Sequence, residues 1–345
     1  MLKQKKRPLF RIILLLLLAL AAGSAFYIHQ DWQRQQQQLA ALQLTLSDSV
    51  RLRIPRGTSL TGIAKLAAVD MPVDAAMFRA LAHRQNIATS LQAGVYDFTR
   101  GQNMSEVLQA LADGKVAVER ITLIEGRTFA DWRRQLAADT RLVQRIPQMS
   151  AREILLTLGI EHANLEGLFL PDTYFFQPGD SDLMILRRAH KQLKKTLAEH
   201  WENRAADNVF KTPYEALILA SIVEKETGVA KERPLIASVF SNRLRVGMRL
   251  QADPTVIYGL GDDFDGNLTR AHLRKQDTPY NTYMRAGLPP TPIAISSAAA
   301  IAAVFNPSKS SYYYFVATGD GEHYFSKNLR EHNNAVNRYQ RKRRT

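Results

Sequence analysis

The chain contains no cysteine. That absence removes disulfide scaffolds, thiol nucleophiles, thiolate zinc sites and lipidation through an N-terminal Cys. Neither a Gly-x-Ser-x-Gly elbow nor a phosphate-cradling Gly-rich loop occurs, so serine-hydrolase and nucleotide readings have no motif behind them and no cofactor is expected. Metal-ligand spacing is lacking too. Asp262, Asp263, Asp265 and Asn267 suggest a calcium loop, but Gly266 is out of register and Arg274 stands where a bidentate Glu belongs. His323 and His332 have neither helical i, i+4 spacing nor a ligand triplet around them, so no metal site is expected.

Acids are missing from both ends. Lys3, Lys5, Lys6, Arg7 and Arg11 crowd the start, and Arg338, Arg341, Lys342, Arg343 and Arg344 the finish, so the tails carry ten of the +14 net charges. Only about +4 remains for the body, too little clustered charge for a nucleic-acid groove, and no nucleic-acid partner is expected. With 345 residues, 46% hydrophobic and 23% charged, the chain can bury a core and suits about two folded units.

Residues 12–28 hold 17 uncharged positions, near the lower limit of roughly 17–25 for spanning a bilayer. The preceding basic cluster should stay cytoplasmic, which places the rest outside the cytosol. A cleavable signal peptide is the competing reading, supported by Ala21, Ala22, Gly23, Ser24 and Ala25. An uncleaved anchor fits better, because the run is long for a signal peptide and Phe26 and Tyr27 suit the interface. Residues 1–11 are then a cytoplasmic tail, 12–28 a transmembrane anchor and 29–49 a juxtamembrane linker. The Gln-rich part of that linker, 30–38, reads as a polar tether.

Three segments share one pattern. A β-like run (50–54, 94–98, 121–124) leads to Gly57, Gly101 or Gly126. A capping residue follows two positions later (Ser59, Asn103, Thr128), and then an amphipathic stretch. Glu106 and Asp131 complete capping-type signatures. The reading is strand, tight turn, helix, three times. The first unit resembles the opening of the LysM glycan-binding module, without the acidic residue after its Gly; a generic scaffold unit is the alternative.

The best-defined helix runs over residues 213–228. Thr212 suits the N-cap, Pro213 the first position, Glu215 the first turn and Gly228 the end. Its middle is apolar nearly all round, so it should be buried. Two acids close it, Glu224 and Glu226, pointing about 200° apart. Burial and the helix dipole both favour the protonated form, as a general acid requires. Periodicity does not choose between them, and pairing with Lys225, Arg233 or Arg243 is the alternative use of either.

The blocks 220–227, 237–244, 166–174, 250–258, 280–283, 287–290, 323–325 and 332–333 together resemble the endolytic murein transglycosylases, the YceG-like family. The resemblance implies an α+β fold: an N-terminal transmembrane helix, a LysM-like strand-turn-helix subdomain (50–117), then a larger mixed catalytic domain (118–345) with a buried catalytic helix. It implies a single-pass protein of the cell inner membrane, its catalytic domain periplasmic. The activity implied is cleavage of the MurNAc-GlcNAc bond of nascent glycan strands with a 1,6-anhydro product, near penicillin-binding synthases as partners. The catalytic Glu it implies is the first of Val-Glu-Lys-Glu, Glu224, as general acid and then base. Substrate-binding candidates are Gln251, Tyr258, Tyr280, Asn281 and Tyr283, with amide and phenol groups suited to sugars. Core packing is the alternative use of Tyr258 and Tyr283, and a turn residue that of Asn281 beside Pro279. Glu166, Asp172 and Glu226 are supporting candidates, Glu166 and Asp172 either orienting the catalytic Glu or, the better fit, capping local structure. A hydrolytic muramidase and a non-catalytic peptidoglycan-binding protein are the rival functions.

Overall fold

The computed structural model describes residues 7–275 and 277–341. Of the basic tails, Lys3, Lys5, Lys6, Lys342, Arg343 and Arg344 lie outside the described residues. The fold is mixed α+β and divides into two compact units, Met1–Glu119 and Arg120–Thr345.

The first unit opens with α1 (Arg7–Leu42), the one described helix long and apolar enough to cross a bilayer, consistent with a single-pass anchor. The expected tether is instead helix. Gln, Ala and Leu are good helix formers, and Gln35 Nε2 donates to Asp31 Oδ2 at 2.8 Å one turn back. The end of α1 is not free either, for Ala41 is 5% exposed within the unit's core.

Beyond it come β1 (Val50–Ile54), α2 (Leu60–Ala67), α3 (Ala75–Arg84), β2 (Gly94–Phe98) and α4 (Met104–Asp113). β1 and β2 pair antiparallel, Val50 opposite Phe98 and Ile54 opposite Gly94. Alternation sends Val50, Leu52 and Ile54 inward onto Phe78, Leu81, Tyr96 and Leu108.

The second unit contains β3 (Glu119–Leu123, whose first residue closes the preceding unit), α5 (Phe129–Ala138), α6 (Ala151–Leu158), β4 (Asp172–Phe176) and α7 (Asp182–Glu202). There follow α8 (Pro213–Glu226), α9 (Arg233–Arg245), α10 (Asp253–Leu260), α11 (Arg270–Lys275), α12 (Ala298–Phe305), β5 (Tyr314–Ala317), β6 (His323–Ser326) and α13 (Leu329–Val336). The strands pair as β3 with β4 and as a β5–β6 hairpin with Tyr314 opposite Ser326.

All three strand-turn-helix units form. Gly57, Gly101 and Gly126 carry φ of 79°, 88° and 70°, a left-handed turn that Cβ-bearing residues rarely adopt. Ser59, Asn103 and Thr128 then accept from backbone N–H groups of α2, α4 and α5, with full capping boxes at Asn103–Glu106 and Thr128–Asp131.

α8 is the axis of the larger core. Eight consecutive residues from Ala216 to Val223 are buried, which only a helix apolar on every side tolerates. α7, α9, α10 and α12 pack around it. Its one mid-helix polar group is satisfied, since the Ser221 hydroxyl donates to Ile218 O and accepts from Ile293 N. The start is as expected: Thr212 Oγ1 accepts from Glu215 N at 3.2 Å and Pro213 opens the first turn. The end differs. Thr227 is already extended (φ −147°, ψ 135°), so the helix stops before Gly228 can act as a left-handed terminator.

Candidate active site

The two acids at the end of α8 have opposite surroundings. Glu224, with its side chain 5% exposed, is not in an apolar pocket. Its Oε2 accepts from Ser297 N at 3.0 Å and from the Ser297 hydroxyl at 2.5 Å, and Arg233 Nη2 stands 3.9 Å from Oε1. Ser297 is also the N-cap of α12, its Oγ accepting from Ala300 N. Glu224 therefore fastens α8 to the start of α12. Ser297→Ala should cost about 2–3 kcal/mol, a lost cap plus a buried carboxylate short of its donors. A denaturant midpoint unchanged from wild type would count against that fastening.

Glu226, on the other side of the helix, is left alone. Among the described residues no hydrogen bond or ion pair reaches its carboxyl, and burial together with the nearby Asp253 pushes its pKa up to about 8, against the pull of Arg243. Sequence periodicity left the two acids equal. Tertiary packing makes them different, one hydrogen-bonded and one without a hydrogen-bond partner among the described residues.

Around Glu226 stand Asp253 at the start of α10, Tyr283 and Arg243. Tyr283 donates its hydroxyl to Asp253 Oδ1 at 2.6 Å, and burial raises its own pKa. Arg243 is buried and builds rather than binds. It donates to Tyr313 O (Nε, 2.7 Å) and Leu250 O (Nη1, 2.5 Å), and so fixes the chain just before Gln251. Gln251 is exposed and has φ 51°, a conformation costly for a residue with a Cβ and concentrated at functional sites. Sequence reasoning chose Gln251 and Tyr283 but missed Asp253, whose position at the head of a helix reads as an ordinary first-turn acid.

A second group forms along α10. Tyr258 donates to Glu166 Oε2 at 3.2 Å and its ring meets Tyr280 edge-on at 4.8 Å. Glu166, 5% exposed, also accepts from Phe129 N at 2.9 Å, and burial pushes its pKa up to about 7. The same burial raises Tyr258. Tyr280 shares a hydrogen bond with Thr291. This cluster keeps two half-buried phenols beside a buried carboxyl.

Two candidates take the local alternative that their sequence context left open. Asn281 is fully buried, its Nδ2 donating to His272 O and Leu273 O and its Oδ1 accepting from Tyr283 N. It organises the turn that presents Tyr283 and is not a sugar contact. Asp172 is exposed at the head of β4 and accepts from Thr173 N, a local role.

The family model described as the YceG-like family matches residues 52–338. The chain is 30% identical to an endolytic murein transglycosylase of Bacillus subtilis over 84% of its own length and 85% of that protein's. With the endolytic murein transglycosylase of Streptococcus pneumoniae D39 it shares 27% identity over 95% of its length, spanning 64% of that longer chain. Among solved structures, a yceG-like protein from Listeria monocytogenes aligns with a TM-score of 0.50 at 29% identity, covering 84% of this chain and 99% of that one. A family match across most of the chain, with both acids at the end of α8 inside it, is membership: this chain belongs to the YceG-like family.

Proposed function

We propose that the chain is a peptidoglycan lytic transglycosylase in which Glu224 carries the proton. Its relatives bear the name endolytic murein transglycosylase. The observation that carries the assignment is the Glu224 carboxyl at the end of buried α8, its Oε2 held by Ser297 while its Oε1 meets only Arg233, at 3.9 Å, among the described residues. Glu226, whose pKa burial and Asp253 push up to about 8, is the second candidate for the same step.

Ordinary glycosidases use two carboxyl groups, one as acid and one as nucleophile or base. A lytic transglycosylase needs one group to move the proton both ways. Protonated Glu224 donates to the oxygen between N-acetylmuramic acid and N-acetylglucosamine, the C1–O bond breaks, and an oxocarbenium-like centre forms at C1. The Glu224 carboxylate then takes the proton of the muramic C6 hydroxyl as that oxygen closes onto C1. The 1,6-anhydro ring results, water is not consumed, and Glu224 is again protonated. Phenols of Tyr258, Tyr280 and Tyr283 and the amide of Gln251 offer stacking faces and hydrogen bonds for the glycan.

The anchor α1 holds the chain in the inner membrane with its basic tail cytoplasmic and its body in the periplasm, following the positive-inside bias. The β1–α2–α3–β2 arrangement is the LysM-like subdomain, a holder of glycan. The catalytic domain cuts nascent strands internally, close to the penicillin-binding synthases that make them.

Mass spectrometry of products from uncrosslinked glycan tests the reaction class. Anhydro ends, one water lighter than reducing ends, are expected for every cut. Reducing ends would establish a hydrolytic muramidase, and intact strands a non-catalytic binder.

A further inference from the structure

We infer that Arg233 is a positioning residue of the reaction: its guanidinium closes onto Glu224 when that carboxyl gives up its proton, and opens again when the proton returns. The inference rests on Glu224 as proton donor and adds a cation that the single-acid scheme does not contain.

The guanidinium has donors to spare. Its Nη2 stands 3.9 Å from Glu224 Oε1, whereas charge-assisted N–H···O bonds run at about 2.7–2.9 Å. Its Nε is buried and has no hydrogen-bond partner among the described residues. The Arg233 side chain is 13% exposed and that of Glu224 5%, so little water reaches either group. A buried donor without an acceptor costs stability, and a full ion pair would draw together over that gap. The separation suits a neutral acid facing a cation, the state in which a proton donor waits.

The chain at Arg233 is fastened from both sides. Glu232 accepts from His323 N and meets His323 Nδ1, each at 2.8 Å, and the Thr227 hydroxyl donates to it at 3.4 Å. On the other side, Pro234 O accepts from Ser308 N at 3.0 Å. Thr227 is the C-cap of α8 and Glu232 the N-cap of α9, so the end of one helix is tied to the head of the next. Ser297 takes Glu224 Oε2 and leaves Oε1 facing the guanidinium. Only the Arg233 side chain has to move, by about 1 Å, to make a charge-assisted bond.

That motion adds binding where it speeds the reaction. When the proton passes from Glu224 to the glycosidic oxygen, the carboxyl becomes an anion in a place with little water. The approaching guanidinium stabilises this anion and adds little to the protonated resting state, so it lowers the barrier. When the C6 hydroxyl gives up its proton, the carboxyl is neutral again and the pair reopens. Arg233 acts through Glu224 alone. The competing role is a structural tie between α8 and α9.

Turnover on uncrosslinked glycan and unfolding midpoints separate these roles, measured for Arg233→Met, Arg233→Lys, Glu224→Gln and the double variant of Arg233→Met with Glu224→Gln. Arg233→Met keeps the apolar stem and should lower kcat by about 100-fold with KM within about threefold, the pattern of an interaction made in the transition state. Arg233→Lys keeps the charge and should regain about tenfold of that loss. In the Glu224→Gln background no anion forms, so Arg233→Met should change the residual turnover by less than about twofold. A kcat for Arg233→Met within about threefold of wild type overturns the inference. So does an Arg233→Lys no better than Arg233→Met, or an undiminished effect in the Glu224→Gln background. If Arg233→Met does not fold, Arg233→Gln is read by the same measures. Glu224→Gln alone keeps the two readings apart: should it stay active, the proton-donor assignment falls, whereas its inactivity beside an active Arg233→Met removes this inference alone.

Discussion

Glu224→Gln is expected to lower turnover on uncrosslinked glycan by about a thousandfold, within the range of roughly 10²–10⁴ for loss of a general acid. The amide keeps the size and shape of the side chain and its oxygen still accepts from Ser297 N, so the fold should be kept. The paired variant makes the experiment decisive. Glu226→Gln replaces a desolvated acid by a neutral group of the same shape, so unfolding should be unaffected or slightly delayed, and activity should stay within about tenfold. The reverse order, an active Glu224→Gln and an inert Glu226→Gln, would move the catalytic role to Glu226. The pH profile gives a second readout. Burial pushes the Glu226 pKa up to about 8, so a donor at that position would make kcat/KM fall as pH rises through about 8, and Glu226→Gln would lack that limb.

Trp132→Ala should cost about 3–5 kcal/mol, the range for removing a large buried aromatic. Trp132 is fully buried in α5, its ring centroid 6.4 Å from that of Phe169, and Phe169 also stacks on Phe129 at 5.4 Å. Its indole N–H donates to Ile124 O at 3.0 Å, so truncation strands a carbonyl as well as opening a cavity. Chemical unfolding followed by circular dichroism measures this, and a loss below about 1 kcal/mol would mean that the region repacks freely. A functional effect should accompany it. Phe129 N, in the same helix, donates to Glu166, which holds Tyr258. Loosening α5 therefore loosens a phenol assigned to the glycan.

The elements that were legible from residues alone are those set by local chemistry. Apolar length marks α1, a Gly two residues ahead of a Ser, Asn or Thr marks each strand-turn-helix unit, and Thr212-Pro213 marks the start of α8. Each depends on groups a few residues apart, which the order of the chain already brings together. Errors arose where a distant partner intervened. The Gln-rich segment read as tether is helix because its own residues favour helix and because Ala41 packs into a core built from residues far along the chain. Gly228 looked like a terminator, yet Thr227 leaves the helix first.

The candidate site divides the same way. Sequence alone determined that a buried helix ends in two acids and that amides and phenols recur in the blocks downstream, because residue type and helical spacing are local properties. How the surroundings of the two acids differ was decided only by tertiary structure. Ser297 and Arg233, contributed by two other helix termini, engage Glu224, while among the described residues no hydrogen bond reaches Glu226 and the charge of Asp253, from a third helix, raises its pKa. A proton's affinity is set by charge, donors and solvent within a few ångströms, and those neighbours are assembled by the fold from positions up to 73 residues apart.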